Sequence, residues 1–157
     1  MSYELRPFSI TDAATVCQWA ASELDLEQLE PSASFPLTPD QIAAWTFEAN
    51  YAFTIAYNGT LVGYGELIED DVAGDIEIQH LLVEPEMRGQ GIGKALIERL
   101  CAFITYGTAY REVWLRVGRD NYAGQLCATA TDFAVDQIAS GPRYIWYTKI
   151  LQDTNEQ

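Results

Sequence analysis

The chain is poor in histidine and lysine: His80 is its one histidine, and Lys94 and Lys149 are its two lysines. One histidine excludes a multi-histidine metal cage, and it leaves any histidine-activated nucleophile a single candidate partner. Cys17, Cys101 and Cys127 are the three cysteines, and no two of them have metal-ligand spacing. They read as small buried apolar residues, not as a disulfide framework or a zinc site. No metal is expected. No apolar run reaches the ~20 residues that span a bilayer. The opening Met1-Ser2-Tyr3-Glu4-Leu5-Arg6 lacks the charged and apolar regions of a secretory leader, so the expected compartment is the cytoplasm. Basic residues are scarce as a class, with 9 Lys and Arg against 23 Asp and Glu and a net charge of −14. Such a surface repels nucleic-acid backbones and anionic membranes, and neither is an expected partner. It would draw in a cationic substrate such as a polyamine, a lysine side chain or an aminoglycoside. It would equally serve solubility alone.

What is present fits one domain. The 157 residues are 48% hydrophobic, enough for a full core without disulfides. We expect a single domain over residues 1–151 and a polar tail over 152–157. Tyr3 to Phe8 alternates as a first strand. Thr11 or Asp12 can cap a helix running to about Leu24, with Ala13, Val16, Ala20 and Leu24 as its apolar positions. The proline-punctuated stretch from Glu23 to Pro39 reads as an irregular loop. Thr38 or Asp40 then starts a short helix through Trp45 and Phe47. Tyr51 to Tyr57 and Thr60 to Ile68 form a hairpin about Asn58-Gly59, a strong tight-turn pair. A further strand spans Asp75 to Val83, and a helix follows from Gly91 to Thr105. Glu112 to Val117 is a strand and Asn121 to Ala130 a helix. Val135 to Ile138 and Tyr144 to Leu151 close the sheet around Ser140-Gly141-Pro142. The pattern predicts a mixed α+β sheet with helices packed on it.

The informative segment lies between the Asp75–Val83 strand and its helix. Glycines stand at positions 89, 91 and 93, where the helix begins. Glycine lets the backbone approach a ligand closely. The first N–H groups of a helix lack helical partners and carry the positive end of its dipole. Together they suit a phosphate or pyrophosphate, and Arg88 and Lys94 add positive charge. A nucleotide P-loop is excluded, because Gly89 stands four residues before Gly93 and Ala95 replaces the required hydroxyl. The spacing Gly89-x-Gly91-x-Gly93 also fails the dinucleotide fingerprint.

The run from Ile76 to Leu96, with Val83-Glu84-Pro85 followed by Arg88-Gly89-Gln90-Gly91-Ile92-Gly93-Lys94, resembles the acetyl-CoA signature of the GNAT N-acetyltransferase superfamily. The order of elements is similar to that fold along nearly the whole chain. The resemblance implies a mostly antiparallel twisted sheet, splayed at a cofactor slot, with helices on both faces. It implies acetyl-CoA as cosubstrate and an amine as acceptor. The backbone of Leu81, Leu82 and Val83 would bind the pantetheine arm. The amides of Gly89, Gln90, Gly91, Ile92, Gly93 and Lys94 would hold the pyrophosphate, and Asn121 would touch the cofactor arm. A homodimer is compatible with the family.

Direct transfer needs a neutral amine and a base for its proton. Glu77, eleven residues before Arg88, matches the base of the histone-acetylating branch; it also reads as an ordinary strand carboxylate. By alternation Glu77 shares a face with Gln79, Leu81 and Val83. His80 points the other way, as a packing residue or as a neutral base. The tyrosine that many members use to protonate the departing thiolate falls at Ala128, and a nearby glycine position is Asp132. Tyr144, Tyr147 or water would have to replace that acid. A backbone N–H near Val83 could polarise the thioester carbonyl. Leu29, Phe35, Trp45 and the Tyr144–Tyr147 cluster are candidates to line the acceptor site or to belong to the core. Loss of the tyrosine also raises a second reading, a non-catalytic acyl-CoA sensor of the same fold.

Overall fold

The computed structural model describes residues 2–153. Seven strands form one sheet: β1 (Tyr3–Pro7), β2 (Tyr51–Tyr57), β3 (Thr60–Asp70), β4 (Asp75–Val83), β5 (Glu112–Gly118), β6 (Ala134–Asp136) and β7 (Tyr144–Ile150). Their order is β1-β2-β3-β4-β5-β7-β6. Each neighbouring pair is antiparallel except β4–β5, which is parallel. The helices are α1 (Ala13–Cys17), α2 (Glu23–Leu29), α3 (Pro39–Glu48), α4 (Ile92–Gly107) and α5 (Tyr122–Ala130). One apolar core joins the sheet to α4 and α5, and a second joins its other face to α1, α2 and α3. The expected α+β class, with helices on both faces, is the fold observed. Among the described residues no helix is long and apolar enough to cross a membrane.

Local chemistry explains most boundaries. Asn58 and Gly59 have φ of 49° and 87°, the two left-handed residues of a tight hairpin turn. Thr38 caps α3 by accepting from the Gln41 N–H at 3.3 Å, and Pro39 occupies the first turn, where its missing N–H costs nothing. Leu96, Ile97, Leu100 and Ile104 are all fully buried along one side of α4.

Three expectations need correction here. The helix expected from Thr11 or Asp12 to Leu24 is two helices. Ser9, not Thr11 or Asp12, makes the first side-chain cap, and α1 ends at Cys17. Ser22 then caps α2 by accepting from the Asp25 N–H at 3.1 Å. Glu23 and Asp25 complement the positive end of that helix. The irregular segment therefore shrinks to residues 30–38. Leu24 fitted the helical spacing, yet it is 62% exposed, and Leu26 supplies the buried contact at 1%. Truncating Leu26 to alanine is expected to cost about 2–3 kcal/mol of stability. Leu24→Ala should stay within about 0.5 kcal/mol of wild type in the same urea titration. The strand expected over Val135–Ile138 stops at Asp136, and Ile138 is almost fully exposed.

The third correction concerns β4. Tyr64 pairs with Leu82 and Glu66 with Gln79, so Gly65 faces both His80 and Leu81 in a bulge. His80 has φ of 52°, a left-handed conformation that costs a residue with a Cβ about 1–2 kcal/mol. The extra residue resets the alternation. Ile78 and Leu81 both pack in the α4 core, whereas Gln79 and His80 both reach Glu66 on the opposite face. Glu77 therefore shares a face with Gln79 but not with Leu81 and Val83. Gly65 makes room for the bulge: a Cβ there would lie 2.9 Å from Leu81 Cδ2.

Candidate active site

The parallel ladder between β4 and β5 is short. Ile76, Glu77 and Ile78 pair with Val113, Trp114 and Leu115. Beyond them β4 runs on to Val83 and β5 to Gly118 without pairing to each other. The strands part where the bulge begins. The gap opens into a cavity of about 500 Å³ bounded by β4, β5 and the N-terminal ends of α4 and α5. Leu81, Leu82 and Val83 line it, and their edge towards β5 is left without a strand partner.

The glycine turn forms the floor. A single 3-10 turn, Pro85–Met87, carries the chain out of β4. Gly89 and Gly91 follow with φ of 79° and 86°, and a Cβ on either would meet nothing within 4 Å. These two are glycine for their backbone conformation. Gly91 is the N-cap of α4 and offers no side chain to cap it. The first helical bond runs from the Ala95 N–H to the Gly91 carbonyl at 3.0 Å. The amides of Ile92, Gly93 and Lys94 thus have no helical acceptor. Gly93 is glycine for another reason, since a Cβ there would stand 3.0 Å from Cys127 Sγ on α5. The backbone of Lys94 hydrogen-bonds that thiol, whose pKa burial nevertheless raises.

Gly89, Gly91, Ile92, Gly93 and Arg88 all border the cavity. The Lys94 and Gln90 side chains are exposed outside it. The Arg88 guanidinium turns towards the α1–α2 segment, donating to the Trp19 carbonyl at 3.1 Å and lying 3.5 Å from Asp25 Oδ2. Asn121 borders the cavity too, and its side chain caps α5 by accepting from the Gly124 N–H at 3.0 Å.

The other end of the cavity is polar. Glu77, Gln79 and His80 reach it from β4 and Arg116 from β5, while α2 lines the cavity with Gln28 and with Asp25, which faces Arg88 beside the glycine turn. Burial pushes the Glu77 carboxyl above its usual range, and the charges of Arg116 and His80 pull it only partly back. His80 has a carboxylate on each ring nitrogen: Glu66 lies 2.8 Å from Nδ1 and Glu30 2.9 Å from Nε2. Burial alone would lower the imidazole pKa, but the hydrogen bonds and charges of Glu66 and Glu30 outweigh it and raise it. A carboxylate only accepts, so this geometry favours a ring that donates from both nitrogens over the neutral base.

Neither tyrosine offered as acid enters the cavity. Tyr147 is 4% exposed and packs in the α4 core opposite Leu115. Tyr144 stacks on the Arg116 guanidinium at 4.2 Å and lines a separate recess of about 240 Å³. Ala128 is fully buried in the same core, with no room for a tyrosine. Sequence reasoning missed Glu66, Glu30 and the α2 wall. One signal for Glu66 was present, a lone carboxylate in the apolar run from Thr60 to Ile68.

Comparison with known proteins bears directly on this geometry. The acetyltransferase (GNAT) family model matches residues 15–136. No curated protein matches the sequence. Among solved structures, spermidine N-acetyltransferase from Vibrio cholerae in complex with CoA and spermine is 18% identical, with a TM-score of 0.70 over 93% of this chain and 92% of that one. Ribosomal-protein-S5-alanine acetyltransferase from Vibrio fischeri is 13% identical, with a TM-score of 0.70 over 99% and 97%. An aminoglycoside acetyltransferase in complex with coenzyme A is 16% identical, with a TM-score of 0.77 over 95% of each chain. At such identities the likeness is one of fold. The family match spans most of the chain and contains both the glycine turn and the parting strands, and on that ground the protein belongs to the GNAT acetyltransferase family.

Proposed function

We propose that the protein transfers the acetyl group of acetyl-CoA to a cationic primary amine by direct attack within a ternary complex. The observation that carries this reading is one continuous cavity with helix-terminal amides that lack helical acceptors at one end and a half-buried carboxylate, Glu77, at the other. The amides of Gly89 to Lys94 would bind the pyrophosphate. The free edge of Leu81, Leu82 and Val83 would take the pantetheine arm as an added strand, beside Asn121. Glu77, with a raised pKa, would receive the proton lost by the ammonium as its nitrogen becomes nucleophilic. That nitrogen would form the new C–N bond as the thioester C–S bond breaks, and would shed its second proton to water. Neither Tyr144 nor Tyr147 borders the cavity, so water would protonate the thiolate.

A cationic acceptor suits the net charge of −14 and the carboxylates Asp25 and Glu77 in the cavity. It also agrees with the spermine in one of the related structures. The test is thiol release from acetyl-CoA across polyamines, aminoglycosides, peptides and neutral amines. Turnover is expected to be fastest with polyamines, with kcat/KM falling severalfold as salt rises and the attraction is screened. Indifference to acceptor charge would refute the cationic preference. The buried Ala128 keeps a second reading in view, a non-catalytic acyl-CoA module. Tight acetyl-CoA binding without turnover on any amine would select it.

A further inference from the structure

The sharpest feature outside the cofactor slot is the charged cluster around His80. Glu66 has no solvent exposure. Its Oε1 accepts from Gln79 Nε2 at 2.9 Å and meets His80 Nδ1 at 2.8 Å. Its Oε2 accepts from the Tyr64 hydroxyl. A buried carboxylate needs this degree of satisfaction. The opposite ring nitrogen of His80 meets Glu30, which follows directly on α2 and also accepts from Ser32 Oγ at 2.9 Å. Trp45 of α3 stacks on the imidazole, with centroids 4.0 Å apart and planes at 20°. One side chain thus ties β3, the segment after α2 and α3 to a single point of β4.

That point is the bulge. Glycine is the usual residue for a left-handed bulge position, and here a histidine holds φ of 52°. Its backbone gains nothing from this conformation, so its side-chain contacts must hold it there. The bulge stands where β4 leaves β5, and it directs Leu81 to Val83 into the slot.

We propose that His80 is a positioning residue: clamped between Glu66 and Glu30, it holds the β4 bulge and so couples the α2 wall of the cavity to the coenzyme A slot. The coupling rests on the reading of the cavity given above. Glu30 does not border the cavity, and the contact that links its side chain to β4 is the one with His80.

The experiment compares Glu30→Ala, Glu30→Gln, His80→Ala and His80→Gly with wild type. It uses steady-state kinetics in both substrates and amide exchange on the ligand-free protein. Glu30→Ala is expected to raise the acetyl-CoA KM about tenfold with kcat within about threefold, because the slot is misplaced while the chemistry stays intact. Glu30→Gln keeps an acceptor for the ring and should restore most of that loss. His80→Gly tolerates the left-handed backbone and should bind acetyl-CoA better than His80→Ala. Exchange over residues 79–83 should quicken about tenfold in Glu30→Ala. Unchanged KM and unchanged exchange in a folded Glu30→Ala protein would overturn the clamp, even if His80→Ala fails to fold. Faster exchange in the variant, with wild type showing no affinity for acetyl-CoA, would uphold the clamp and sink the proposed function instead.

Discussion

Replacing Gly91 with glutamate is expected to weaken acetyl-CoA binding by at least about a hundredfold. Gly91 caps α4, and the space around its missing Cβ is open. A glutamate there would set a carboxylate among the amides of Ile92, Gly93 and Lys94. It would take the positive pole of the helix for itself and repel an incoming diphosphate. At an effective dielectric of ~20, two unit charges ~4 Å apart repel by about 4 kcal/mol, more than a hundredfold in affinity needs. The substitution also carries a backbone cost, since φ at this position is 86°. Gly91→Ala shares that cost, about 1–2 kcal/mol of stability, without the charge. Calorimetry should therefore find alanine within about tenfold of wild type and glutamate without measurable heat, on protein shown to be folded by circular dichroism. Equal affinities in the three proteins would remove the diphosphate from the glycine turn.

Glu77→Gln is expected to lower kcat by about 10² to 10⁴, the usual contribution of a positioned base. Burial raises the Glu77 pKa, and the base must be ionised to act. In wild type kcat/KM should climb with pH through that raised value, and the acid limb should vanish in the variant. Stability should move the other way. A carboxyl with a raised folded pKa favours the folded state below its unfolded value, and that contribution is lost as pH rises through the folded one. At neutral pH ionised Glu77 is a burden on the fold, so Glu77→Gln should be at least as stable as wild type. A slow enzyme that is no less stable separates catalysis from folding. Full activity in Glu77→Gln would assign the base elsewhere.

The glycine turn was legible in the sequence because its chemistry belongs to the main chain. Positive φ, a missing Cβ and free amides all follow from which positions are glycine. The hairpin at Asn58-Gly59 and the α3 cap at Thr38 were legible for the same local reason. Ser22 was equally local, but Leu24 continued the helical spacing and hid the break before α2. What escaped was long-range. His80 meets a Glu66 14 residues away and a Glu30 50 residues away. Nothing in the pattern of β4 announces the bulge that brings them together. Tyr147 looked available because an alternating strand shows which residues share a side, not which side the helices will cover.

The short ladder between β4 and β5 has a mechanical consequence. β1 to β4 are knit by antiparallel ladders of five or more residue pairs and β5 is joined to β7 by seven, yet only three pairs weld the two groups together. A molecule lodged in the gap would grip both groups at once. It would act as a rivet across the short seam between the two groups, so that filling the slot stiffens the protein far from the place where the molecule sits.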